Sequence, residues 1–189
     1  MRCQKGFTLV EILFVLIIIA VVMAYAVPSY KRTKDRAAYD AATGILVDLG
    51  NAVQAMKRDL TMQGYSFTTY PFPASDYHKV VNGDETLDSS TVENSTLKNF
   101  LSISNATTRD TRFVGSLFAF GYMEPFTSNN YNYYVIRSTS ANVCNTKCRV
   151  SGVVACMCKS SLNNLDCYYG AAFLNTGGVK RLEGNSCGS

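Results

Sequence analysis

The hydrophobic pattern of the chain changes several times along its length. From Phe7 to Val27 almost every position is apolar, and the stretch carries one charge, Glu11. A helix over it spans about 30 Å, the hydrocarbon thickness of a bilayer. After Pro28 the pattern becomes amphipathic. Ala38, Ala41, Ala42, Ile45, Leu49, Ala52, Val53, Met56 and Leu60 recur at helical spacing, with Asp35, Arg36, Asp40, Asp48, Arg58 and Asp59 largely off that stripe. Gly64 is a stop signal. Together the two halves predict one helix from about Phe7 to Gln63, roughly 85 Å long. Gly44 and Gly50 each weaken it by about 1 kcal/mol relative to Ala. Pro28 removes one backbone hydrogen bond and allows a kink. The first half needs lipid or other subunits around it, and the second needs a sheet against its stripe.

Residues 64–112 are rich in Ser, Thr, Asn and Asp and show little period. Tyr70-Pro71-Phe72-Pro73 and Asn82-Gly83-Asp84 are turn or extended signals, and a short helix near Val92–Leu101 is compatible with the pattern. The segment reads as a connecting loop region. Asn94-Ser95-Thr96 and Asn105-Ala106-Thr107 match glycosylation sequons, at a level that such composition produces by chance. From Arg112 onward, Phe113–Tyr122, Tyr131–Ser138, Arg149–Lys159 and Cys167–Leu174 are rich in aromatic and β-branched residues and read as strands. Pro125, Asn129-Asn130, Asn163-Asn164 and Gly177-Gly178 punctuate them. The expected fold is α+β: a long N-terminal helix whose amphipathic half packs on a C-terminal antiparallel sheet of about four strands.

Composition narrows the chemistry. The chain has 189 residues, 47% hydrophobic and 17% charged, too apolar for a disordered protein. Its mean hydropathy of +0.01 is too low for a multi-span membrane protein. The net charge of +4 is too small to argue for nucleic acid unless clustered. One histidine, His78, disfavours zinc-hydrolase sites and leaves a single candidate for any His-dependent nucleophile. Ser95-x-x-Lys98 matches one nucleophile box, but the boxes that accompany it are missing. No enzyme activity and no cofactor are expected. Of seven cysteines, Cys3 stands alone, whereas Cys144, Cys148, Cys156, Cys158, Cys167 and Cys187 cluster near the C-terminal end. An even, compact set reads as disulfides and an oxidising compartment, with pairing open. A thiolate metal site is the rival, and the Cys-x3-Cys and Cys-x-Cys spacings lack the repeated zinc-knuckle form. Cys156 and Cys158 share a face if their strand is regular. The tyrosines read first as sheet packing.

The N-terminal segment admits three readings. It is a plain signal anchor, or a secretory signal peptide with an Ala24-Tyr25-Ala26 cleavage site, or something more specific. Lys5-Gly6-Phe7-Thr8-Leu9-Val10-Glu11, opening an unbroken apolar run, resembles the class III leader of type IV pilins and pseudopilins. The resemblance covers Arg2 to about Leu60; beyond that it is architectural. It implies a pilin fold and cleavage between Gly6 and Phe7 by a prepilin peptidase on the cytoplasmic side. N-methylation of Phe7 would follow. It also implies that Glu11 serves filament assembly by pairing with the α-amine of Phe7 on a neighbouring subunit, and that the helix can locally melt at Pro28. The organisation expected is a leader at residues 1–6, a transmembrane and filament-core half-helix at 7–27, an amphipathic half at 28–63, a connecting region at 64–112, and a sheet with a disulfide-rich end at 113–189.

From the residues alone, a lone carboxylate in an apolar helix is costly and usually functional. The plainer account leaves Glu11 near the headgroups, favoured by the helix dipole. Orientation is contested. Arg2 and Lys5 precede the span, whereas Lys31, Arg32, Lys34 and Arg36 follow it, which by positive-inside counting favours the wrong side. The cysteine cluster favours an oxidising compartment for the C-terminal part and decides the reading. The post-span cations are either a solvated face or a contact with anionic headgroups. The partners implied are other pilin subunits in a helical homopolymer, the prepilin peptidase, an inner-membrane assembly platform, and the membrane before assembly. The chain is then single-pass in the inner membrane first and extracellular in the filament afterwards. A type II secretion pseudopilin shares the whole N-terminus. The calcium cage typical of major pseudopilins is not matched, since Glu124, Asp166 and Glu183 are too few and scattered. A DNA-binding minor pilin would use Lys147, Arg149, Lys159, Lys180 and Arg181 as a basic patch, which is a weak signal. Motility, adhesion, DNA uptake and secretion are not distinguished.

Overall fold

The computed structural model describes residues 8–63, 77–80, 114–127, 130–136, 152–159, 167 and 169–183. It contains one long helix, α1 (Leu9–Met62), and five strands: β1 (Tyr77–Val80), β2 (Asn132–Ile136), β3 (Val153–Cys158), β4 (Tyr169–Leu174) and β5 (Val179–Glu183). Two compact units divide the chain at Asp40 and Ala41. In the first, α1 continues through Pro28, and every large apolar side chain recorded from Leu9 to Val27 is between 44% and 84% exposed. No described residue of the unit shields that surface, which is the condition of a helix built for lipid or for neighbours.

The second unit is a helix on a sheet. The five strands pair in sequence order, each antiparallel to the next. The helix lays Ala42, Leu46, Leu49, Gly50, Ala52, Val53, Met56 and Leu60 into the core. This is the expected stripe rotated slightly: Leu46 and Gly50 are buried, whereas Ala41 is exposed and Ile45 half-buried. The rotation brings Gly50 against β4, so closely that a Cβ there would overlap the Phe173 ring. Tyr133 of β2 donates its hydroxyl to the Ala42 carbonyl at 3.2 Å, which satisfies both groups in a buried position. Gln54 Nε2 donates to Asn175 O at 3.1 Å.

Both sheet faces are buried. Tyr133 and Phe173 lie on the helix side, while Tyr134, Ile136, Cys156, Cys158, Ala172 and Leu182 form a separate cluster with Val153 and Cys167. All six residues of β3, VVACMC, are buried. A strand covered on both faces reads as a continuous apolar run instead of an alternation, as this one does.

Three local expectations change. Residues 114–119, inside the strand expected over Phe113–Tyr122, are helical. Val114 and Leu117 are buried one turn apart. Gly121, at φ 73°, closes the turn by donating its N–H to Phe118 O at 3.1 Å, a left-handed cap. Ser116 is fully buried there and donates to Met56 Sδ at 3.5 Å. β1 lies within the region read as connecting loop, and β5 follows Gly177-Gly178, where no strand is expected. The sheet therefore has five strands in the described residues. Both unforeseen strands are edges, and β5 keeps Leu182 inside while Lys180 and Arg181 remain at the margin, a charge pattern that blunts edge pairing. The segment Val92–Leu101 and both sequons lie outside the described residues.

Candidate functional site

The site begins at the first turn of α1. Four free N–H groups at a helix start require acceptors. Thr8 and Glu11 supply them reciprocally: Glu11 N–H donates to Thr8 Oγ1 at 3.4 Å, and Thr8 N–H donates to Glu11 Oε2 at 2.9 Å. The Thr8 hydroxyl also donates to Oε2 at 2.9 Å. This is a capping box, Thr-x-x-Glu. Its signal stands in the sequence, but the leader motif that overlaps it absorbs the same residues. The box fixes Glu11 on the helix surface with its second oxygen, Oε1, accepting no bond among the described residues. Glu11 is thus held in place without being saturated, one turn into an apolar cylinder.

Gly6, Phe7 and Cys3 lie outside the described residues, as do Cys144, Cys148 and Cys187. Pro28 sits inside α1. Beyond it, Lys31, Arg32, Lys34 and Arg36 are exposed.

In the second unit, Cys158 and Cys167 form a disulfide, Cα atoms 5.6 Å apart and 9 residues apart in sequence. It ties the end of β3 to the approach to β4. Cys156 is disulfide-bonded to a partner outside the described residues, and it shares the buried cluster with Cys158, as the two-residue spacing predicts. Closing a loop this short stabilises by about 2.7 kcal/mol in the chain-entropy account. Thiol counting on the unreduced mature chain in detergent should find Cys156, Cys158 and Cys167 blocked, and Cys158→Ser should lower the midpoint of unfolding. Free thiols at those positions would refute the bridges.

A tyrosine latch holds the segment after residues 114–119 to α1. Tyr122 Oη donates to Asp59 Oδ2 at 2.5 Å. Burial, then the bond to Asp59 and its charge, raise the Tyr122 phenol above its ordinary value. A raised folded pKa means the contribution is intact below about pH 10 and fades as pH climbs past it. Tyr122→Phe should therefore cost about 1–2 kcal/mol at neutral pH. Its deficit against wild type should shrink above about pH 10, as measured by denaturant melts. A constant deficit would contradict the latch. Beside it lies an open groove of about 650 Å³ lined by Asp48, Arg58, Glu124 and Phe126 among others. Its charges are of both signs and assemble no nucleophile or ligand set.

The arrangement defines a class first: a protein with one N-terminal helix long and apolar enough to cross a membrane, a carboxylate held at that helix's start, and a helix-on-sheet unit later in the chain. The chain carries, over residues 1–27, the prokaryotic N-terminal methylation motif, which is the class III leader of type IV pilins and pseudopilins. No curated protein and no solved structure matches the chain. The motif supports a type IV pilin-like or pseudopilin protein, a class of structural subunits. Its leader implies processing by the peptidase and assembly with other pilins. The apolar helix suits membrane anchoring before that assembly.

Proposed function

We propose that this chain is a structural subunit of a type IV pilus filament. It is cut between Gly6 and Phe7, methylated at Phe7, held in the inner membrane by residues 7–27, and drawn into the filament through that same helix. The observation that carries this reading is Glu11. A capping box needs one carboxylate oxygen, yet the residue stands in an apolar surface with the other oxygen accepting no bond among the described residues. In a filament core the α-amine of Phe7 from the adjoining subunit is the partner that completes it. The pair sets axial register, because removing one charge from a buried pair leaves the other uncompensated. Pro28 gives the helix a place to bend, and the disulfide-rich end of the second unit faces the exterior.

Gly6→Val tests the processing step. The full-length chain should accumulate in the membrane fraction and be missing from sheared surface filaments. Normal cutting and normal filaments from Gly6→Val would contradict the proposal.

A further inference from the structure

We propose that residues 25–36 form a collar that binds anionic phospholipid headgroups at the C-terminal end of the membrane span. The collar's charge is uncompensated. Lys31, Arg32, Lys34 and Arg36 are exposed, and neither they nor Asp35, the carboxylate among them, form an ion pair among the described residues. Its depth fits. The apolar run ends at Val27, and the headgroup layer adds about 5–7 Å beyond the hydrocarbon, or four to five helical residues. Residues 28–32 fall in that layer. Helical side chains lean toward the N-terminus, so the longer reach of Lys34 and Arg36 brings their charges back to it. Tyr25 and Tyr30, 79% and 71% exposed, flank the boundary where tyrosine favours the interface.

The distribution around the helix selects the occupant. Tyr25, Ser29, Arg32 and Arg36 share one face and line a shallow groove with Pro28 and Thr33. Thr33 Oγ1 donates to Ser29 O at 3.1 Å, so its proton is used within the helix, and the groove's charged donors are the two arginines. At 100° per residue Tyr30, Lys31 and Lys34 lie on the opposite side. A docked protein covers one face, whereas headgroups surround a single-pass helix on all sides. A second copy seated on the collar in the same register is disfavoured, because it would bring the same four cations against these four. The collar also bears on the orientation conflict. Cations on the translocated side would serve as a grip on that leaflet. The inference rests on α1 crossing a membrane and not on which filament the subunit joins.

The test uses the mature full chain in nanodiscs of phosphatidylcholine with and without phosphatidylglycerol, after carbonate-resistant insertion has been verified. Spin-labelled phosphatidylglycerol should be enriched over spin-labelled phosphatidylcholine in the immobilised lipid shell by about fivefold at low salt. Added sodium chloride should erode the preference. The variant K31Q/R32Q/K34Q/R36Q should bring it to parity with helicity unchanged. Equal shells for the two lipids in inserted wild-type protein would overturn the collar, as would undiminished preference in the variant. Displacement by inorganic phosphate beyond that of chloride at matched ionic strength would also overturn it, since that marks a free-phosphate site. Loss of copy-to-copy cross-linking in the variant, without any lipid preference in wild type, would assign the surface to a second subunit instead. Failure to insert would remove the membrane reading itself and the collar with it.

Discussion

Glu11→Gln is expected to reduce filament yield by more than about tenfold while leaving membrane insertion, leader cleavage and helicity of the first turn intact. The substitution separates two roles that coincide in one residue. Glutamine serves the third helical position of a capping box as well as glutamate does. Its carbonyl oxygen can accept from the Thr8 N–H and hydroxyl, which now reach Glu11 Oε2 at 2.9 Å each. It cannot neutralise a neighbouring ammonium. If Glu11 serves only to cap α1, Glu11→Gln assembles normally and Thr8→Ala, which removes the reciprocal acceptor, is the damaging change. If Glu11 sets register, the order reverses. Thr8→Ala then loses a modest local contribution and still assembles, while Glu11→Gln and Glu11→Ala both fail. Quantifying the chain in sheared surface filaments against total membrane-bound chain decides between them.

Gly50→Ala is expected to destabilise the second unit by about 1–2 kcal/mol net, even though alanine is the better helix former by about 1 kcal/mol. The added methyl would overlap the Phe173 ring, and Phe173 is itself buried, so neither partner has room to yield. Gly44, six positions earlier on the same helix, is the internal control. Nothing lies within 4 Å of a Cβ built there. Gly44→Ala should stabilise by about 0.5–1 kcal/mol through the unfolded chain. The two substitutions are chemically identical and should move the melting temperature in opposite directions. Combining Gly50→Ala with Phe173→Leu should cost less than the two singles together, because the residues are in contact. Equal shifts at Gly44 and Gly50, or strict additivity with Phe173→Leu, would show that the helix does not approach the sheet this closely.

These contrasts mark what the sequence could and could not convey. The long helix was legible because an unbroken apolar run followed by a three-and-four spacing admits few other structures. Its rotation was not, since Ile45 and Leu46 are equally apolar and only the packing against the sheet separates them. The co-facial placement of Cys156 and Cys158 follows from a two-residue spacing, whereas the Cys158–Cys167 pairing requires knowing how β3 and β4 meet. Gly177-Gly178 announced a turn, and Gly177 does adopt φ 86°, but the strand beyond it is charged at the edge and carries too little apolar pattern to be seen. β1 has four residues in a polar stretch and forms because β2 offers it an edge. The stretch Phe113–Tyr122 has the aromatic content of a strand, and Gly121, with its positive φ, is the sign in it of a capped helical turn. At the site, the leader motif gave Gly6, Phe7 and Glu11 their expected roles. The Thr8–Glu11 box has its own Thr-x-x-Glu signal, which the leader motif overlaps, and the hydrogen bonds separate the two.

The account turns on where the mature chain begins, and the intact mass with the N-terminal sequence of the protein isolated from its membrane answers that directly. A start at N-methylated Phe7, with the apolar helix retained, is the predicted result. It places Glu11 where a neighbouring α-amine can reach it. A start at Val27, after the Ala24-Tyr25-Ala26 site, would contradict the account, because the first 26 residues would then be a discarded export signal and the remaining chain would keep only the amphipathic part of α1, without Glu11 or the apolar run.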